Sequence, residues 1–224
     1  MSNRSIHTLL KSWDEECPLT REEAVEVLNL PEQEMDSLME CAYALRTKYK
    51  GKKVSVQLLT NVRSGNCTQN CAYCAQSKDS QAEIEKYKRV SDEKLYGDND
   101  LVDEKHLARH CIGLSGIGFS DEEIEDLADR IREMKKKDTQ ICCSIGFLTE
   151  KQARILKDAG LDRINHNLNS SRSFYPEICT THTYDQRVNN IKTLQSLGFE
   201  ICSGGIVGMG ESKEDIVDML MDLR

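Results

Sequence analysis

From about residue 53 onward, short apolar runs alternate with longer amphipathic stretches, and this alternation restricts the fold more than any other feature of the chain. The runs VSVQLLT (54–60), CIGLSG (111–116), QICCSIG (140–146), DRINHNL (162–168) and EICSGGIVG (200–208) have the length and residue types of strands. Helix starts lie between them. Ser120 with Glu123, Thr149 with Gln152 and Thr183 with Gln186 each make the S/T-x-x-E/Q pattern in which two side chains satisfy the free backbone donors of a first turn. Strands separated by helices pair in parallel, because parallel neighbours need a crossover and a helix supplies it. The expectation is therefore an α/β fold, either an open sheet or a (β/α) barrel of the TIM type that is incomplete here. About five of eight strands are in view, since closure takes eight strands and roughly 250 residues.

Residues 1–50 read as a helical cover on a main domain spanning 51–224. Thr20 and Glu23 form a capping-box pattern, and PEQEMDSLMECAYALRTKY starts with a proline suited to a first helical turn. With 30 Lys and Arg against 38 Asp and Glu, the formal charge of −8 argues against general affinity for nucleic acid or an anionic membrane. The run Lys135 to Lys137 reads as a solvated helix end that complements the helix dipole. No stretch of eighteen apolar residues occurs, and the first residues lack the pattern of a signal or transit peptide, so a cytoplasmic location is expected.

In that setting the 10 cysteines point to metal or redox chemistry rather than disulfides. Cys67, Cys71 and Cys74 form a C-x₃-C-x₂-C array in NVRSGNCTQNCAYCAQS, just after the first strand. Such spacing lets one loop aim three thiolates at an iron–sulfur cube, leaving one iron with open positions for a small molecule. Structural zinc usually takes paired C-x₂-C elements, and only one occurs here. A thioredoxin-like dithiol would leave Cys67 unexplained.

Cys111, Cys142 and Cys202 fall on three different predicted strands. Cys142 and Cys143 must point to opposite faces, so only one of them can face a barrel interior. Each of these alone reads as a small core residue. Asn165, Asn167 and Asn169 recur at a spacing of two, which places their amides on one face and His166 and Leu168 on the other. A row of buried amides needs hydrogen-bond partners, which a polar ligand would supply; an exposed edge strand is the alternative. His166 reads as a structural hydrogen-bonding group. Gly204, Gly205, Gly208 and Gly210 allow either close approach of a ligand to the main chain or a tight strand-to-helix turn.

The array with Tyr73 before its third cysteine resembles the C-x₃-C-φ-x-C motif of the radical S-adenosylmethionine (SAM) superfamily, φ being an aromatic. That resemblance implies a [4Fe–4S] cluster on Cys67, Cys71 and Cys74, with SAM on the open iron. It also implies a 5′-deoxyadenosyl radical as the agent of hydrogen abstraction, so that no side chain is expected to be the catalyst itself. SGNCTQNCAYCAQS, LDRINHNLNSSRSFYPEICTTHTYDQR and CSGGIVGMGES are in turn similar to the biotin synthases, from about residue 50 to the end. This similarity implies sulfur insertion into dethiobiotin and a second, [2Fe–2S] cluster on Cys111, Cys142 and Cys202, its fourth ligand an arginine that would lie beyond Arg224. Asn165 and Asn167 match positions contacting dethiobiotin or SAM, Asn169 a position often held by a ribose-binding aspartate, and Arg187 an arginine near the SAM carboxylate. Tyr73 is expected beside the cofactor. The turn SGIGFSD departs from the commoner SGRGPSD at Ile117 and Phe119. A flavodoxin- or ferredoxin-type electron donor and a homodimer complete the expectation. The strands absent here lead to the further expectation that this polypeptide binds the first cluster without supporting full turnover, unless a partner chain supplies them. Hydrogenase-maturation and methylornithine-forming relatives, which usually lack the strand cysteines, are the alternative enzymes. A non-catalytic truncated product that associates through its sheet edge is the non-enzyme alternative.

Overall fold

The computed structural model describes residues 18–224, so expectations for residues 1–17 lie outside the described residues. Five strands, β1 (Gln57–Arg63), β2 (Arg109–Leu114), β3 (Ile141–Ser144), β4 (Arg163–Asn165) and β5 (Glu200–Cys202), form one all-parallel sheet in the order β1-β2-β3-β4-β5. The helices are α1 (Arg21–Leu28), α2 (Met35–Lys50), α3 (Asp92–Glu104), α4 (Asp121–Met134), α5 (Glu150–Asp158), α6 (Tyr175–Ile178), α7 (Tyr184–Ser196) and α8 (Lys213–Leu223). This order decides between the two architectures. A doubly wound sheet reverses direction and carries helices on both faces, whereas strands laid down one after another by right-handed crossovers keep every helix on one side, as in a barrel. The fold is an incomplete (β/α) barrel.

The two faces of the sheet differ accordingly. Thr60, Ile112, Cys143, Ile164 and Ile201 share one register row. On that side Ile112, Cys143 and Ile164 are fully buried against Leu95 of α3, Ile124 and Ile131 of α4, Leu156 of α5 and Leu194 of α7. Full burial of such side chains stabilises by about 1.5–3 kcal/mol each. The alternate row, Leu59, Cys111, Cys142, Arg163 and Glu200, looks the other way. Among the described residues no helix covers it, and Leu59 is 68% exposed.

The caps read from sequence are formed at α1, α4, α5 and α7, and Ser212 with Asp215 adds another at α8. The strand boundaries differ from expectation, and one helix is new. β1 begins three residues later than the run 54–60, because Val54 and Val56 stay exposed and the paired backbone starts at Gln57. Helix α3 was not foreseen: its buried face includes Asp98 and Asn99, which conceal the apolar period. β4 and β5 stop at Asn165 and Cys202, well short of the runs 162–168 and 200–208. Beyond them only Asn169 and Gly205 pair, with Asn169 in a left-handed conformation at φ 71° that ends regular pleating. Helix α1 is fixed to α8 by a two-pronged ion pair, Arg21 Nε and Nη2 donating to Asp218 at 2.5 and 3.1 Å, while α2 buries none of its residues.

Candidate metal-cluster site

The segment after β1 leaves the sheet and returns to it, closed by reciprocal backbone hydrogen bonds between Ser64 and Tyr87 at 3.0 and 3.1 Å. Within this excursion the cysteine loop is held from two sides. Gln76 accepts from the Gly65 N–H, and Ser115 donates to the Gly65 carbonyl at 2.6 Å, tying the loop start to the end of β2. Opposite, Asn70 holds it to the 178–182 segment: its Oδ1 accepts from Thr180 N, Thr181 N and Thr181 Oγ1 at 3.1, 3.3 and 3.0 Å, and its Nδ2 donates to Thr180 Oγ1 at 2.7 Å. The Ala72 N–H donates to the Ile178 carbonyl at 2.9 Å beside it.

Cys67, Cys71 and Cys74 all line one cavity of about 320 Å³ at the C-terminal ends of the strands, where parallel α/β folds bind ligands. Tyr73 lines it too, and burial pushes its hydroxyl up, so it is neutral. Burial, then the neighbouring Cys179, pushes the Cys71 thiol up as well. Asn165, Asn167 and Asn169 reach the same cavity, and among the described residues none of their amide side chains has a protein hydrogen-bond partner. His166 does not take the opposite face, because the strand has already ended; it lines the cavity beside the asparagines, while Leu168 packs with Tyr175 and Ile178. The His166 ring is 3% exposed, its Nε2 has no partner, and burial, then Arg187 and His182, pulls its pKa down to about 3. Arg187 is engaged by the protein itself: Nε donates to Tyr175 Oη at 2.5 Å, Nη1 to the Asn167 carbonyl at 3.1 Å, and Nη2 to His182 Nε2 at 2.9 Å.

The other three cysteines stand apart from this cavity, on the bare face of the sheet. Cys111 and Cys142 are register partners on β2 and β3, and Cys202 lies on the same face of β5, one pleat nearer the strand ends. Burial, then Cys111 and Cys202, pushes the Cys142 thiol up to about 12. Burial pushes the Cys111 thiol up as well, with Cys142 and the guanidiniums of Arg109 and Arg163 pulling against it. Cys143 is fully buried on the helix side, as the alternation of a strand requires.

Residues 61–223 match the profile of the radical SAM superfamily. The chain belongs to the radical SAM superfamily. Among curated members of this superfamily it is 41% identical over 207 residues to the biotin synthase of Geobacillus kaustophilus (strain HTA426), covering 92% of this chain and 62% of that protein. It is 40% identical to the biotin synthase of Bacillus subtilis (strain 168), with the same two coverages of 92% and 62%. The chain thus spans about three-fifths of the length of these relatives. Among solved structures, methylornithine synthase (PylB) has a TM-score of 0.84 at 16% identity, covering 98% of this chain and 64% of that one. The FeFe-hydrogenase maturase HydG from Carboxydothermus hydrogenoformans has a TM-score of 0.81 at 20% identity, covering 97% and 51%. At those identities the two structures show the radical SAM fold and no more.

Radical SAM membership implies a [4Fe–4S] cluster and SAM, and the kinship to biotin synthases a [2Fe–2S] cluster. The residues fit. Three free thiols of one loop share a cavity with unpartnered amides, which suits thiolate-held iron beside a polar molecule. Three more free thiols share the bare face, and among the described residues no fourth thiol joins them there. The glycine series belongs to the turn: the Glu211 carboxylate accepts from Gly208 N and Met209 N at 2.6 and 2.7 Å, and Met219 of α8 packs where a Cβ on Gly205 would stand. Sequence reasoning missed Asn70, Gln69, Cys179 and His182, whose partners lie more than 100 residues away or across a loop. Among the described residues no helix is long and apolar enough to cross a membrane.

Proposed function

We propose that the protein acts as a biotin-synthase-type radical SAM sulfurtransferase, inserting sulfur into dethiobiotin to form biotin. The observation carrying this reading is the second thiol set. Radical SAM chemistry as such requires only the loop of Cys67, Cys71 and Cys74, so Cys111, Cys142 and Cys202 on the bare face call for another purpose, and a sulfur-bearing [2Fe–2S] cluster supplies one. In this reading Cys67, Cys71 and Cys74 hold the [4Fe–4S] cluster. With SAM on its open iron, that cluster supplies the electron for reductive cleavage of the sulfonium. Asn165, Asn167 and Asn169 orient the polar groups of dethiobiotin and SAM with amides that, among the described residues, no protein group occupies. Asparagine in place of a ribose-binding aspartate keeps the hydrogen bond without the charge. Arg187, positioned by Tyr175 and His182, keeps a fixed cation at the cavity wall for the SAM carboxylate, and Tyr73 lines the same cavity beside the cofactor. A flavodoxin- or ferredoxin-type donor, a homodimer and a cytoplasmic location belong to the same proposal.

The test is anaerobic reconstitution with iron and sulfide. Uptake of about four irons per chain on the loop is expected, with about two more where a fourth ligand to Cys111, Cys142 and Cys202 is supplied. Cys142→Ser is expected to remove about two irons together with the [2Fe–2S] absorption, while SAM still perturbs the spectrum of the remaining cluster. Tightly bound zinc without sulfide would refute the cluster assignment. If the complete protein yields 5′-deoxyadenosine and leaves dethiobiotin unchanged, the sulfurtransferase reading fails and the radical one stands.

A further inference from the structure

Cys179 has no part in the function proposed above, yet it is among the best-enclosed thiols of the chain. It is 4% exposed, and its Sγ lies 3.7 Å from the Sγ of Cys71, which is 8% exposed. The contact does not depend on the sulfurs finding each other. The hydrogen bond from Ala72 N to Ile178 O joins the residue after Cys71 to the residue before Cys179, and the four side-chain hydrogen bonds of Asn70 to Thr180 and Thr181 flank it. Two loops over 100 residues apart are thus clamped so that their cysteines face each other. A disulfide has a sulfur–sulfur distance of about 2.05 Å, so the pair needs to close by less than 2 Å, within reach of small side-chain rotations. Cys71 also lines the open cavity, which gives a small oxidant access.

We propose that Cys71 and Cys179 are an oxidisable pair, which a peroxide converts to a disulfide when Cys71 holds no cluster and which a dithiol reopens. The Cys71 sulfur attacks one peroxide oxygen and breaks the O–O bond, giving a sulfenic acid and water. The Cys179 sulfur then displaces the sulfenic hydroxyl, forming the S–S bond, and the leaving hydroxyl takes the Cys179 proton as a second water. Two thiols are oxidised by two electrons, and one hydrogen peroxide is reduced to two waters. The consequence, that a disulfide holds the loop in a state that cannot load iron, rests on Cys71 being a cluster ligand; the disulfide itself does not.

Tryptic peptides separate the possibilities. Cys67, Cys71 and Cys74 all fall in peptide 64–78, and Cys179 falls in 173–187. Cluster-free full-length chain is treated with hydrogen peroxide, alkylated and digested without reductant. A cross-link between the two peptides is expected, retained in Cys67→Ser and Cys74→Ser and lost in Cys71→Ser and Cys179→Ser. Oxidised wild-type chain is expected to take up little iron and sulfide until dithiothreitol is added. Cys179→Ser, or Cys179→Ala where circular dichroism shows the serine form misfolded, is expected to load without that step. Absence of the cross-link, or its survival in Cys71→Ser, overturns the pair. If the fully reduced chain takes up no iron, the cluster assignment fails while the cross-link still decides the disulfide.

Discussion

Gly146 offers a test in which the structure fixes the sign and size of a small change. It follows β3, where the chain passes over the turn after β2 so closely that Phe147 N donates to the Ile117 carbonyl at 2.7 Å. A Cβ added at Gly146 would lie 2.3, 2.5 and 2.6 Å from the oxygen, carbonyl carbon and Cα of Ile117, all of them backbone. Real contacts of this kind need over 3 Å, so Gly146→Ala must part the two segments by about 1 Å, which stretches the Phe147–Ile117 hydrogen bond beyond use. Losing that bond costs about 1 kcal/mol, and overpacking adds about 1–3 kcal/mol, for a total of about 2–4 kcal/mol. Gly97 is the internal control. It lies inside α3 with nothing within 4 Å of an added Cβ, so the same change there should stabilise by about 0.5–1 kcal/mol through helix propensity. The assay is urea unfolding of the cluster-free, reduced chain followed by circular dichroism. Because Ile117 and Gly146 both line the cavity, Gly146→Ala should also weaken the response of the reconstituted cluster's spectrum to SAM. A loss under 1 kcal/mol, or equal effects at the two glycines, would refute the claim that backbone contact sets the cavity wall.

His166 has its folded pKa drawn below its unfolded value of about 6.5, so the stability it contributes is full above pH 6.5 and declines as pH falls towards 3; His166→Gln should flatten that decline by about 4–5 kcal/mol in acid unfolding curves, and unchanged curves would contradict its buried neutrality. Asn70→Ala removes four hydrogen bonds from the clamp on the cysteine loop, so a loss of about 1–3 kcal/mol and faster iron release to a chelator are expected, whereas wild-type release would show that the loop holds its shape alone.

The parts of this fold that were legible are those written in adjacent residues. Capping boxes span four positions, strand runs six to nine, and the cysteine array eight, so each is complete within one window of the chain. Helix α3 was hidden because its inner face carries Asp98 and Asn99, which reach Thr60 and His110 on the sheet; polar residues satisfied by tertiary partners look solvent-exposed to a periodicity argument. The asparagine row was read as a longer strand, since spacing by two does not reveal that Asn169 turns left-handed. The residues still reached one cavity, although by a loop that also brings His166 inward. The clamp of Asn70 and the approach of Cys179 to Cys71 had no sequence signal, for their partners are separated by 108 to 111 residues and meet only when the chain is folded.

The neighbouring thiols of β3 bear on how that strand finds its place. A slip of one residue would exchange Cys142 for Cys143 and still present sulfur to both sides of the sheet, so thiol chemistry cannot proofread the alignment. Discrimination falls to the flanking isoleucines: Ile141 and Ile145 are 0% and 5% exposed on the helix side, and a slip would turn them to water while drawing Ser144 into the dry interior. The sulfur on the bare face of the sheet is therefore selected by two hydrocarbon side chains on the opposite face.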